Sequence, residues 1–349
     1  MKILIVRLSA LGDVVHALPA LEVIRAAAPA AELTWAVEAL AAPLLLGHPA
    51  LDRVVVLPRR ELLRGGLREL PARAARLGRQ LSRLRVGFDA ALDLQGLLRS
   101  AVVARAAGAR CVLGPAWARE GAALLYGRRL AAPGPDEAHA VARTVALARA
   151  ALATLGLPSA GGAPPARLPE ALRDGSGSAA RPVILLPGAG KPANRVPAWL
   201  LAAIADRCAA AGLPVTLLGG PQDRPLAAAV AGACRQASPA IRCDADLVQA
   251  ARVLDRAAVV VGGDTGPLHL ARALGRPVVA LFAAADPART APGGFPGAAP
   301  AHTLTGAAPC APCRARRCQR GDRRRVCFEA FEAEAIAEVA LAAARGARS

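Results

Sequence analysis

Aromatic side chains are nearly missing from this sequence of 349 residues: one Tyr, three Trp and five Phe make up 3% of it. So few stacking platforms, with no recognisable nucleic-acid motif, argue against a nucleic-acid partner. Long hydrophobic runs are missing too. None reaches the ~18 residues of a membrane-spanning helix, and the richest stretch, Ala257 to Ala285, is broken by Asp264, His269 and Arg272. The opening MKILIVRLSALGDVVHALPAL is apolar, but Arg7 and Asp13 stand inside it and no credible cleavage site follows. It reads as a first strand and turn rather than a secretory leader, so a cytoplasmic location is expected. Acid is short as well: 26 Asp and Glu against 44 Lys and Arg leave a net charge of +18. That excess predicts attraction to phosphorylated ligands or an anionic membrane face.

What is abundant is small and aliphatic. Hydrophobic residues make up 54% of the chain, enough for two cores, and its length suits two domains. The basic excess concentrates in residues 59–85, where Arg59, Arg60, Arg64, Arg68, Arg73, Arg76, Arg79, Arg83 and Arg85 face only Glu61 and Glu69. Many are three or four apart and would share one face of a helix, either solvated or anion-binding.

Two stretches show the same rhythm. Lys2–Leu8 reads as a strand, Ser9–Gly12 as a loop and Asp13 to about Ala28 as an amphipathic helix. Leu33–Val37, a further helix, Arg53–Leu57, the Arg-rich helix and Phe88–Leu92 follow, leading into Asp93-Leu94-Gln95-Gly96 and another helix. After the Gly/Pro/Ser-rich stretch Pro158 to Pro182, strands are expected at Pro182–Leu186, Pro214–Leu218, Ala258–Val261 and Val278–Phe282. Helices are expected at Trp199–Ala211, Arg224–Cys234, Pro267–Leu274 and Glu329–Ala344. Alternation of this kind means parallel sheets with crossover helices. The expected architecture is α/β: two Rossmann-like, doubly wound domains, 1–165 and 182–328, facing a central cleft, with a linker at 166–181 and a closing helix at 329–349. Ligands of such sheets bind beyond the carboxyl ends of the strands.

Three loops at such ends carry chemistry. Gly262-Gly263-Asp264-Thr265-Gly266-Pro267-Leu268-His269 joins a strand to a helix start, whose unpaired N–H groups suit a phosphate. Thr265 offers a hydroxyl and His269 an imidazole donor; the alternative is that Asp264 or Thr265 only caps the helix. Leu186-Pro187-Gly188-Ala189-Gly190-Lys191 resembles an ATP-binding P-loop superficially. It lacks the earlier Gly, with Leu185 in its place, and the following Ser or Thr, with Pro192 there, so it reads as a pyrophosphate cradle with Lys191 and Arg195 nearby. Leu8-Ser9-Ala10-Leu11-Gly12-Asp13 puts an acid at a helix start, as an N-cap or as a general base.

Eight cysteines are present, and Cys310, Cys313, Cys318 and Cys327 fall within 18 residues. In a reducing compartment such a group suggests Zn²⁺ or a similar metal, or thiolates stabilised by neighbouring arginines without an ion. Cys111, Cys208, Cys234 and Cys243 read as small buried residues.

With these residues in view, the chain resembles the family 9 glycosyltransferases, the heptosyltransferases of lipopolysaccharide core assembly. KILIVRLSALGDVVHALPAL looks like the family's opening and GGDTGPLHLARALGRPVVALF like its nucleotide-phosphate motif. LLPGAG with Asn194-Arg195-Val196-Pro197 resembles its second-domain loop, although Val196 replaces the usual aromatic. FDAALDLQGLLRSA, Ala118-Arg119-Glu120, Leu125-Tyr126 and His139-Ala140-Val141-Ala142-Arg143 are similar to the form that adds the first heptose to Kdo-lipid A; the Cys-rich segment is a departure from its enterobacterial members.

The resemblance implies a GT-B fold, an ADP-heptose donor, inversion at the anomeric carbon and no cofactor for catalysis. It makes Asp13 the general base and gives Arg195, in place of a family Lys, the departing diphosphate. Gly188, Gly190, Lys191, Asp264, Thr265, Gly266 and His269 would hold the donor, with Asp223 on its ribose. Arg60, Arg119, His139 and Arg143 would meet the anionic lipid A/Kdo acceptor, at the inner face of the inner membrane. A second-heptose enzyme or another family 9 transferase, and a non-catalytic nucleotide-binding regulator, are the alternatives. Nothing in the sequence speaks to oligomeric state.

Overall fold

The computed structural model describes residues 1–57, 78, 79, 82, 84–159, 161, 162, 164–176, 181–297, 299–320 and 325–346. Most of the Arg-rich segment, Arg60 included, lies outside them. The chain divides into two compact units, Met1–Glu170 and Ala171–Ser349.

In the first unit the strands are β1 (Lys2–Val6), β2 (Glu32–Glu38), β3 (Arg53–Leu57), β4 (Ala90–Asp93), β5 (Cys111–Pro115) and β6 (Arg128–Leu130). They form one parallel sheet in the order β3-β2-β1-β4-β5-β6. Helices α1 (Leu11–Ala27), α2 (Leu98–Ala106) and α3 (Ala140–Thr154) accompany it. β1 is central, and Leu4, Ile5 and Val6 are fully buried, as a strand covered on both faces must be.

Three local expectations change. α1 is not amphipathic: every residue from Val14 to Ile24 is buried, because α3 packs along it. There the Thr144 hydroxyl donates to the His16 carbonyl at 3.0 Å, three residues before Pro19. The helix expected between β2 and β3 is a single 3-10 turn, Ala42–Leu44, with Pro43 inside it and Gly47 at φ +77° soon after. The first strand stops at Val6, leaving Arg7 and Leu8 buried beyond its end.

In the second unit β7 (Val183–Leu186), β8 (Val215–Leu218), β9 (Ala240–Arg242), β10 (Val259–Gly263), β11 (Val278–Phe282) and β12 (Ala301–Thr305) form a second parallel sheet, ordered β12-β11-β10-β7-β8-β9. Its longer helices are α4 (Ala198–Ala210), α5 (Arg224–Ala233), α6 (Leu247–Asp255), α7 (Gly266–Ala273) and α8 (Ala333–Gly346). α8 packs on α4, and Leu200, Ile204, Val261, Phe328, Ile336 and Ala340 share its core.

Numbered within each unit, both sheets run 3-2-1-4-5-6, the Rossmann order. Each therefore has one switch point where strand order reverses and a crevice opens at the carboxyl ends, between β1 and β4 and between β7 and β10. The loops singled out from sequence leave these strands.

In the chain segment that follows α3, Arg167 is held to the first unit by a two-pronged pair with the buried Glu22, at 2.7 and 3.0 Å, and by its carbonyl, 2.9 Å from His48 Nε2. Arg173 belongs to the second unit through Asp255, at 3.1 Å.

Candidate functional site

At the first switch point Arg7 follows the end of β1 and α1 begins at Leu11, with the extended Ala10 as its N-cap. Asp13 is therefore not the N-cap but the third residue of the helix. Its Oδ2 accepts the Ala10 N–H at 3.1 Å, and its Oδ1 lies 3.2 Å from Arg7 Nη2. An anion in the first turn also suits the helix dipole. The carboxylate remains 45% exposed, whereas Arg7 is only 6% exposed. Asp13 is fixed from behind and open in front, as a proton acceptor needs to be.

Arg7 is itself fixed. Its Nη1 donates to the Leu94 carbonyl at 2.6 Å, and its own carbonyl accepts the Trp35 indole N–H at 3.2 Å. The loop carrying Leu94 is held by Asp93, which is fully buried at the end of β4. Asp93 accepts the N–H groups of Gln95 (2.7 Å) and Gly96 (3.2 Å) and the hydroxyls of Ser100 (2.8 Å) and Tyr126 (2.7 Å). Burial pushes the Asp93 carboxyl up, against the pull of these donors, and burial with the Asp93 charge pushes the Tyr126 phenol up. Gln95 closes the circuit by accepting the Leu8 N–H at 2.9 Å. Gly114 leaves room for this: a Cβ there would clash with the Tyr126 ring.

Of the expected acceptor residues, the three that are described, Arg119, His139 and Arg143, approach the same edge through intermediaries. Arg119 is exposed, and its backbone N–H donates to Gly96 at 2.9 Å. The Arg143 guanidinium stands 5.6 Å from the Trp117 ring centroid, and that ring lies 2.7 Å from where a Cβ on Gly96 would sit. His139 is the N-cap of α3, its Nδ1 accepting the Val141 N–H at 3.2 Å. Its ring meets His16, one turn after Asp13, edge-on at 5.7 Å.

At the second switch point the glycines have a different task from the one expected. A Cβ on Gly263 would fall on the Asn194 carbonyl oxygen, and one on Gly262 would lie 2.8 Å from Leu186 Cβ. The pair lets the end of β10 press against β7 and the loop that follows it. Thr265 is the extended N-cap of α7, and its hydroxyl makes no capping bond. Asp264 does not cap either. Its Oδ1 takes His269 Nε2 at 2.9 Å, and its Oδ2 takes the Asn194 amide at 3.3 Å. His269 is buried, so the contact seen for its Nε2 is internal to the loop. By helix geometry, Gly266 at the start of α7 has no intrahelical carbonyl for its N–H, and Pro267 has no N–H at all.

The other donor candidates divide in the same way. Gly190 and Lys191 are exposed, and nothing lies within 4 Å of a Cβ on Gly190. Gly188 and Asp223 are partners: a Cβ at Gly188 would fall on the Asp223 carboxyl, whose Oδ2 accepts the Gly220 N–H at 3.0 Å. Arg195 folds back, its Nε 3.4 Å from the Ala189 carbonyl, while its own carbonyl accepts from Arg325. Burial pulls the Arg325 guanidinium below its usual range.

The metal expectation is not met. Cys310 and Cys313 are exposed while Cys318 and Cys327 are half-buried, and among the described residues no three His, Cys, Asp or Glu lie close enough to hold an ion. Stabilised thiolates are not found at Cys327 either: burial pushes its thiol up, and the other three cysteines of the group add to this. Of the scattered cysteines, Cys208 and Cys243 are buried and Cys111 and Cys234 half-buried; burial pushes the Cys208 thiol up to about 11.

Arg7, Asp93, Ser100, Asn194 and Arg325 were not among the expected site residues. The signal available for the first two was a charge at the carboxyl end of a buried strand.

The family model for glycosyltransferase family 9 (heptosyltransferase) matches residues 74–322. Lipopolysaccharide heptosyltransferase 1 of Pseudomonas aeruginosa is 34% identical over 91% of this chain and 87% of its own length. The Salmonella typhimurium protein of the same name is 30% identical over 82% of the chain and 90% of its length. Among solved structures, E. coli heptosyltransferase WaaC with ADP-2-deoxy-2-fluoro heptose superposes with a TM-score of 0.68 at 26% identity, covering 88% of this chain and 94% of that one. E. coli ADP-heptose LPS heptosyltransferase II shares the fold, with a TM-score of 0.75 at 23% identity and full coverage of both chains.

Proposed function

Because the chain belongs to glycosyltransferase family 9, the heptosyltransferases, we propose that this enzyme moves heptose from ADP-heptose to the Kdo-lipid A inner core, with inversion. Membership in an enzyme family displaces the non-catalytic regulator considered from sequence. The first-heptose reading is favoured over a second-heptose one by the curated relatives, all named heptosyltransferase 1.

The observation that carries the mechanism is the half-exposed Asp13 carboxylate held by the buried Arg7 at the end of β1. Asp13 takes the proton of the acceptor hydroxyl and becomes a carboxylic acid. The hydroxyl oxygen forms the new glycosidic bond to the anomeric carbon from the face opposite the diphosphate. The old bond breaks, and its electron pair leaves with ADP. The developing charge is met by Lys191, Arg195, the Thr265 hydroxyl and the Gly266 N–H at the start of α7. Arg in place of Lys at 195 keeps a permanent cation and adds two-pronged phosphate contact. Asp264 and His269 shape this loop, and Asp223 shapes its neighbour and borders the ribose. Arg60, Arg119, His139 and Arg143 bind the acceptor's phosphates and carboxylates. No helix among the described residues is long and apolar enough to cross a membrane; the acceptor brings the protein to the cytoplasmic leaflet, where its positive charge favours an anionic surface.

The test is transfer by the purified protein with ADP-heptose, UDP- and GDP-sugars as donors, and Kdo-lipid A and heptosylated core as acceptors. Product with ADP-heptose on Kdo-lipid A alone is expected. Product only on the heptosylated core would overturn the acceptor assignment, and transfer from another nucleotide sugar would overturn the donor assignment.

A further inference from the structure

The first unit leaves three large apolar side chains in solvent on one neighbourhood of its surface: Leu98 (43% exposed), Val102 (39%) and Leu124 (81%). Leu98, Val102 and Arg105 are spaced i, i+4, i+7 and so form one exposed stripe on α2. Leu124 belongs to the 3-10 turn Ala122–Leu125, which packs beside α2. Single exposed leucines are ordinary, but three brought together with nothing over them among the described residues are not.

The surroundings are cationic. The Arg129 Nε donates to the Ala123 carbonyl at 3.2 Å, beside Leu124, and the Arg85 Nε reaches the Ala106 carbonyl at 3.3 Å, where α2 ends. Arg105 lies on the stripe itself. The acid placed next to the patch, Glu120, accepts the Leu98 N–H at 3.3 Å. Three apolar tips are too few for the roughly 800 Å² per partner of a stable protein interface. Apolar tips flanked by arginines suit a surface with an acyl boundary beneath anionic headgroups.

We propose that Leu98, Val102 and Leu124, with Arg85, Arg105 and Arg129, dock this enzyme on an anionic phospholipid bilayer. The proposal rests on the heptosyltransferase reading only for its biological setting; the docking chemistry is independent of it.

The test is sedimentation of the full chain with vesicles of phosphatidylglycerol and phosphatidylethanolamine, or of phosphatidylcholine alone. Binding is expected to the anionic vesicles and to weaken as salt shortens the screening length from about 10 to about 3 Å. Leu98→Ser/Val102→Ser/Leu124→Ser is expected to lower partitioning about tenfold or more. Arg105→Glu/Arg129→Glu should lower it on anionic vesicles only. All five positions are solvent-facing, so thermal unfolding should be unchanged, as should transfer to an acyl-free Kdo acceptor in solution. Wild-type binding retained by both variants would overturn the proposal and assign docking elsewhere, as to the arginines of 59–76. A triple variant that binds vesicles normally but changes oligomeric state would overturn it in favour of a protein interface. Failure of wild-type transfer to the acyl-free acceptor would count against the catalytic reading and leave the vesicle result standing.

Discussion

The two units share a strand order and differ in how the switch point is built. In the first, the crevice loops are tied by buried charge: Asp93 gathers four donors, and Arg7 bridges Leu94 to Asp13. In the second, they are tied by missing side chains: Gly263 admits the Asn194 carbonyl, and Gly188 admits the Asp223 carboxyl. The difference follows from the chemistry assigned to each. A single proton acceptor must be held at one point, and buried ion pairs and directed hydrogen bonds do that. A diphosphate needs a concave surface of N–H groups and mobile cations, which close-packed backbone with an exposed Gly190 and Lys191 leaves open.

Breaking the charge-built crevice should have the largest effect on turnover. Arg7→Met removes the group that orients Asp13 and should lower kcat about 10²-fold, with the KM for the nucleotide sugar nearly unchanged. Arg7→Lys, which keeps the positive charge, should recover part of it; steady-state kinetics on the three proteins decide this. Breaking the glycine-built crevice should do the reverse. Gly263→Ala sets a methyl group against the Asn194 carbonyl and should destabilise by about 1–3 kcal/mol, with donor affinity falling more than kcat; denaturant unfolding and ADP binding check it. Tyr126→Phe deletes one donor to Asp93 and should cost about 1–2 kcal/mol in unfolding experiments.

The smallest effect sharpens the contrast through pH. Burial, foremost, holds His48 below its ordinary value, although the Arg167 carbonyl and Glu22 pull upward. Its Nδ1 accepts the Ala50 N–H at 3.1 Å, a bond available only to the unprotonated nitrogen. With the folded pKa lowered, the unfolded chain binds the extra proton first. The stabilisation is therefore full above about pH 6.5 and is lost as pH falls from there through the folded value. The first unit should lose stability across that window by thermal unfolding, and His48→Gln should flatten the loss.

Much of this was readable from the residues. The periodicity located the strands that flank both switch points, and Asp13, Lys191 and Thr265 stand at the carboxyl ends where loop spacing put them. What sequence could not show was which neighbour each glycine admits. Gly262-Gly263 read as an approach to a ligand, but its partner is Asn194, about 70 residues earlier, and such a contact exists only once β7 and β10 are paired. Arg7 spoke only against a leader, because its partner Leu94 becomes adjacent when β4 joins β1. Strands β5, β6, β9 and β12 were not expected; the shortest two, β6 and β9, lack in Arg128-Arg129 and Ala240-Ile241-Arg242 the apolar run of a covered strand. Clustered spacing suggested a metal at Cys310–Cys327, but spacing does not fix exposure, and two of the four thiols face solvent.

The division of labour between the units is tested most directly by Asp13→Ala, measured twice: calorimetric affinity for ADP-heptose and single-turnover transfer to Kdo-lipid A. The account predicts donor affinity within about twofold of wild type and transfer slowed by roughly 10²- to 10⁴-fold, the range for a lost general base. Transfer at the wild-type rate, or donor binding lost together with it, would contradict it.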